Sequence, residues 1–129
     1  MENNLSENIE LTMPVNAAYV SAVRLTASSV SNRLKFDVDE IEDIKSAVSE
    51  ACAYIIGRAD PLLHTCFKIK FNLSPDSIEI IISMPDMEVD DSCENDMALM
   101  MIKAMMDDME IVDNNGKLAI IIAKRHKTS

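Results

Sequence analysis

The stretch FDVDEIEDIKSAVSEACAYII, residues 36–56, decides how the rest of the chain is read. Asp37 carries a short acceptor side chain just ahead of a periodic apolar run, and Glu40 follows three residues later. That is the pattern of a capping box, in which the two side chains satisfy each other's backbone N–H groups. Val38, Ile41, Ile44, Val48, Ala51, Cys52 and Ile55 then recur at helical spacing and form one apolar stripe. Gly57 stands where a helix commonly ends. A long amphipathic helix that needs a partner layer is therefore predicted.

Outward from this helix, IELTM (9–13) reads as a short first strand ended by Pro14. Asn16 can cap a helix running to about Leu34, with Ala18, Ala22, Leu25, Val30 and Leu34 as its apolar positions. Beyond Pro61 the period changes to two: Phe67, Ile69, Phe71 and Leu73 of CFKIKFNL (66–73) share one face. Ser74-Pro75-Asp76 is turn chemistry, and SIEIIIS (77–83) completes a hairpin. A helix is predicted over 94–109, and strands at 110–113 and 117–123 around Asn114-Asn115-Gly116. The order β, α, α, β, β, α, β, β gives an α/β (α+β) two-layer sandwich with three helices on one face of a mostly antiparallel or mixed sheet.

The 129 residues suit one domain, 1–129, with flexible ends expected at 1–7 and 125–129. A hydrophobic content of 48% supports a packed core. Apolar runs are too short for a membrane helix, and the start MENNLSENIE lacks a signal-peptide pattern, so a cytoplasmic protein is expected. Three cysteines, Cys52, Cys66 and Cys93, read as free thiols. Twenty-two carboxylates against twelve bases, net −10, argue against nucleic acid. The basic tail Lys124, Arg125, His126 and Lys127 reads as solvated, and His64 and His126 as surface histidines.

VRLTASSVSNRL (23–34), FDVDEIEDIKSAVSEAC (36–52) and MMIKAMMDDMEI (100–111), in this order of elements, resemble the anti-sigma-factor serine kinases of the RsbW type. These have the histidine-kinase-like ATPase (Bergerat) fold shared with gyrase and MutL. The resemblance implies a cytoplasmic switch protein that holds a sigma factor, is displaced by an antagonist, phosphorylates that antagonist with ATP and Mg²⁺, and forms a homodimer. A heterodimer with an active kinase paralogue is a further reading.

The family's site residues do not carry over intact. Its ATP-site helix has glutamate and, four residues on, asparagine for magnesium; here Glu50 matches and Tyr54 replaces the asparagine. A phenol is a poor Mg²⁺ ligand. Glu50 is therefore a vestigial catalytic candidate, and equally reads as a plain surface carboxylate. The first glycine box, aspartate-x-glycine-x-glycine, aligns with Met84-Pro85-Asp86-Met87-Glu88, where Met84 cannot accept the adenine amino group and Asp86 and Glu88 replace both glycines. The second box aligns with residues 95–99, where Asp96 and Ala98 stand for glycines. Each like charge within ~4 Å of a triphosphate costs about 1 kcal/mol even in water. The expectation is a degenerate nucleotide site with no cofactor; ATP and Mg²⁺ belong to the alternative, a divergent serine kinase.

Asp86, Glu88 and Asp90 alternate like the start of a calcium loop, but Asp91 and Met97 stand where glycine and glutamate are needed, so no metal site is expected. Met97, Met100, Met101, Met105, Met106 and Met109 surround the third predicted helix. They read as core, with an adaptable partner surface as the competing reading. By resemblance, Arg24 is the residue expected to touch a sigma factor or antagonist, with Ser21, Ser28 and Asn32 extending that surface.

Overall fold

The computed structural model describes residues 7–87, 96–113 and 116–127. Strand β1 (Glu7–Pro14) leads through a 3₁₀ turn (Ala17–Tyr19) into helix α1 (Val20–Ser31) and helix α2 (Val38–Arg58). The hairpin β2 (Cys66–Ser74) and β3 (Ser77–Met84) follows, then α3 (Met97–Met105), β4 (Asp108–Asp113) and β5 (Leu118–Arg125). The sheet runs β1-β2-β3-β5-β4, and every pairing is antiparallel. None of the described helices is long and apolar enough to cross a membrane.

Period-two patterning places one face of the sheet under the helices. Phe67, Ile69, Phe71, Ile78, Ile80, Ile82, Met84, Leu118, Ile120 and Ile122 are buried there. Ile44, Val48, Ala51, Cys52 and Ile55 of α2 meet them, and Val23, Ala27 and Val30 of α1 join the same core. The capping box forms as predicted: Glu40 N–H donates to Asp37 Oδ1 at 2.8 Å and Asp37 N–H to Glu40 Oε1 at 2.9 Å.

Several expectations are corrected. Asn16 caps the 3₁₀ turn, accepting from Ala18 N–H at 2.9 Å, and α1 starts only at Val20. Its buried stripe is Val23, Ala27 and Val30, which leaves Leu25 71% exposed. The third helix stops at Met105 rather than 109. Met109 instead joins β4 opposite Ile122, alternating with Ile111 of the expected strand opposite Ile120, because an apolar strand edge offers pairing that extra helix turns lack.

The tail is no solvated cluster. Lys124 is buried, donating to the Met105 carbonyl at 2.6 Å with Asp43 3.5 Å away, so it serves the exposed C-terminal carbonyls of α3. His126 Nδ1 and Lys127 N–H both donate to the Glu40 carboxylate, at 2.9 and 3.0 Å. Of the ends expected to be flexible, residues 1–6 and 128–129 lie outside the described residues. Glu7 opens β1, and 125–127 are held by these bonds.

Candidate functional site: the pocket between the second and third helices

Helix α2 carries Glu50 and Tyr54 one turn apart, and Tyr54 lies in the pocket that α2 shares with the start of α3. Glu50 is half-buried and makes no hydrogen bond or ion pair among the described residues. Tyr54 is only 5% exposed, and the Arg58 guanidinium lies 4.5 Å from its ring centroid. Cation–π packing of this kind contributes ~0.5–1 kcal/mol. Tyr54 and Arg58 line a cavity of about 490 Å³ together with Ala53, Gly57, Asp96 and Ala98.

The α3 N-terminus closes the far wall. A helix start exposes N–H groups that suit an anion, which is how phosphates are held at such positions. Here Asp96 supplies the anion from within the chain. Its Oδ1 accepts from Ala98 N–H at 2.8 Å and Leu99 N–H at 3.3 Å. The resemblance sets Asp96 and Ala98 where the family has glycines; in the structure Asp96 is the N-cap of α3, a position that aspartate favours.

Met84 is fully buried, its thioether lying in the core beside the sheet. Asp86 has φ 58°, the left-handed conformation that a glycine would adopt without strain. Glu88 lies outside the described residues, as do Asp90 and Asp91.

One residue read as a surface histidine organises this turn. His64 is 8% exposed. Its Nδ1 accepts from Asp60 N–H at 2.7 Å, so Nε2 carries the proton and donates to the Asp86 carbonyl at 2.9 Å. The local half had a signal: Asp60-Pro61 is turn chemistry, and Asp60 Oδ1 accepts from Leu62 N–H at 2.9 Å. The link to Asp86 crosses 22 residues and has none.

The methionines divide. Leu99 and Ile102 bury α3 against α2, and Met106 follows at the helix end. Met97, Met100 and Met101 are exposed, contrary to the core reading, because α3 packs through a single stripe. Cys52 is buried, and burial pushes its thiol up to about 12; Cys66 is exposed and free. Among the described residues no three acidic, histidine or cysteine side chains gather as metal ligands.

Arg24 lies on α1 and leans onto α2. Its Nη1 donates to Ser49 Oγ at 2.7 Å and reaches the Lys45 carbonyl at 3.5 Å. Ser21, Leu25, Ser28 and Lys45 share with it a shallow hollow of about 270 Å³. Asn32 is exposed on the same helix and donates to the Ser28 carbonyl at 2.8 Å. The four residues assigned to a partner surface thus lie together, on the helical layer.

A two-layer sandwich with a pocket between its second and third helices defines the class. The chain belongs to the histidine kinase-like ATPase domain family, whose profile matches residues 13–124. Its particular relatives carry the name serine-protein kinase RsbW. That of Halalkalibacterium halodurans is 34% identical, over 85% of this chain and 78% of the relative. That of Bacillus cereus is 32% identical, over 89% of this chain and 83% of the relative. The RsbU and RsbW domains of a Mycobacterium tuberculosis protein superpose with a TM-score of 0.72 at 15% identity, covering 92% of this chain and 32% of that one, a likeness of fold.

The family implies ATP, and these residues do not fit it. The Ala98 and Leu99 N–H groups already hold the Asp96 carboxylate, Tyr54 is a buried phenol, a poor Mg²⁺ ligand, and Met84 is a core thioether with no acceptor for an amino group.

Proposed function

We propose that this protein is a regulatory binding module of the anti-sigma type, which sequesters a sigma factor or binds an anti-sigma antagonist in the cytoplasm without ATP-dependent phosphorylation. The observation that carries the reading is the Asp96 carboxylate on the N–H groups of Ala98 and Leu99. A phosphate would have to displace a tethered anion that is already hydrogen-bonded, beside a side chain that cannot hold Mg²⁺. Recognition then rests on the α1 surface, where Arg24 is pre-oriented by Ser49 and flanked by Ser21, Ser28 and exposed Leu25. An arginine held in one rotamer loses less entropy on binding, which suits an interface anchor.

The alternative is a divergent serine kinase that uses Glu50 on the antagonist. The 490 Å³ cavity beside Tyr54 and the relatives' name favour it. Capture of partners from the native cytoplasm, repeated with Arg24→Glu, tests the binding surface. Loss of a sigma factor or antagonist from the variant's catch supports it. Recovery of no such partner, or an identical catch with the variant, contradicts it.

A further inference from the structure

The described methionines fall into two environments. Met13, Met84, Met87 and Met106 are buried, and Met105 and Met109 pack half-buried against the core. Met97, Met100 and Met101 are 75%, 59% and 47% exposed. Met100 and Met101 follow Met97 by three and four residues on α3, so all three are neighbours on one helical face and form a single patch of thioethers. The fold does not need methionine there. Leu99 and Ile102 bury the opposite stripe, the Asp96 carboxylate holds the first turn, and Lys124 holds the Met105 carbonyl at the end. Leucine has the same helix propensity and would leave the same apolar face. What methionine adds is a sulfur lone pair, and here solvent reaches it.

We propose that Met97, Met100 and Met101 are a reversible oxidation site, which peroxide converts to methionine sulfoxide with the fold intact, turning this face of α3 from apolar to polar. In each step the thioether sulfur attacks one oxygen of hydrogen peroxide. An S–O bond forms, the O–O bond breaks, and sulfur is oxidised by two electrons. The departing hydroxide takes the proton of the transferred oxygen and leaves as water. A dithiol, acting through a sulfoxide reductase, removes the oxygen as water and is itself oxidised to a disulfide. Access sets the selectivity, because the buried thioethers meet oxidant only when the chain opens. The fold tolerates the change because these side chains point away from the Leu99–Ile102 stripe and take no part in the bonds at either helix end. A sulfoxide is polar, so the patch loses its apolar character. The change also reaches the rim of the Tyr54 cavity, since Met97 stands between Asp96 and Ala98, which both line it. The inference goes beyond the proposed function and rests neither on the Arg24 surface nor on the reading of the nucleotide site.

Peptide mapping by mass spectrometry after graded hydrogen peroxide tests the site on the full chain. Met97, Met100 and Met101 are expected to gain oxygen at least about tenfold faster than Met13, Met84 and Met106, with the far-ultraviolet circular dichroism unchanged once all three are oxidised. Retention on a phenyl matrix reads the surface. Oxidation should shorten it, and the two stereospecific methionine sulfoxide reductases with dithiothreitol should restore it. The combined variant Met97→Leu, Met100→Leu and Met101→Leu keeps an apolar face without sulfur, so peroxide should shift its retention much less. The exposed Cys66 thiol is present in both proteins, so the difference between them reads the methionines. Equal rates at buried and exposed methionines overturn the proposal. So do a loss of helical signal when the three are oxidised, a wild-type retention that stays fixed or fails to recover, or equal shifts in wild type and leucine variant.

Discussion

Replacing Glu40 by glutamine separates its two structural roles and gives a pH signature. Glu40 is 6% exposed; its Oε1 accepts from Asp37 N–H and His126 Nδ1, and its Oε2 from Lys127 N–H. Burial pushes the carboxyl up, but the bonds from Asp37, His126 and Lys127 together outweigh it and bring it from 4.5 down to about 2. At 1.36 kcal/mol per pKa unit the gap is bounded near 3 kcal/mol, and water at the rim of the cluster reduces it to about 2 kcal/mol. Because the folded-state value is depressed, this stability is fully present above 4.5 and is lost as pH falls from 4.5 toward 2. In Glu40→Gln the amide oxygen retains the Asp37 contact, while the NH₂ group opposes Lys127 N–H. With an unfolding entropy of about 2.1 cal/mol/K per residue, 2 kcal/mol lowers Tm by roughly 7 °C at neutral pH. Thermal melts of both proteins between neutral pH and pH 3 measure the difference. It should shrink steadily below pH 4.5. A difference that stays constant through the acid range, or is absent at pH 7, refutes the assignment.

Asp96→Ala removes the α3 cap and should cost about 1 kcal/mol, whereas Asp96→Asn should be near neutral, as read from urea midpoints. His64→Phe fills the same space but strands Asp60 N–H and the Asp86 carbonyl. It should cost about 2–3 kcal/mol in the same assay, and an unchanged midpoint contradicts the clasp. A thiol reagent at neutral pH should label Cys66 promptly and Cys52 only upon unfolding, since the Cys52 thiolate is inaccessible and its thiol sits near 12.

What the sequence made legible was local or periodic. The Asp37–Glu40 box and the alternation of Phe67, Ile69, Phe71 and Leu73 needed no distant partner to be read, and the structure has both. The family was legible because motif order survives where single residues have changed. What stayed hidden depends on contacts between remote segments. Glu40 meets His126 across 86 residues, and His64 meets Asp86 across 22, so each histidine looked isolated. Methionine accounts for the rest. It suits helix, strand and surface alike, so the end of α3 and the exposure of Met97, Met100 and Met101 were set by which stripe met α2. At the site, the resemblance sets Asp96 and Ala98 at glycine positions, and only the cap geometry shows the carboxylate seated on the helix start.

Isothermal titration of the full chain with Mg-ATP bears most directly on the central claim, with Asp96→Gly and Tyr54→Asn combined in a second titration. The wild type should give no heat of binding at micromolar protein, and measurable binding should appear when both groups are removed. Micromolar affinity in the wild type, with Asp96 still in place, would contradict it.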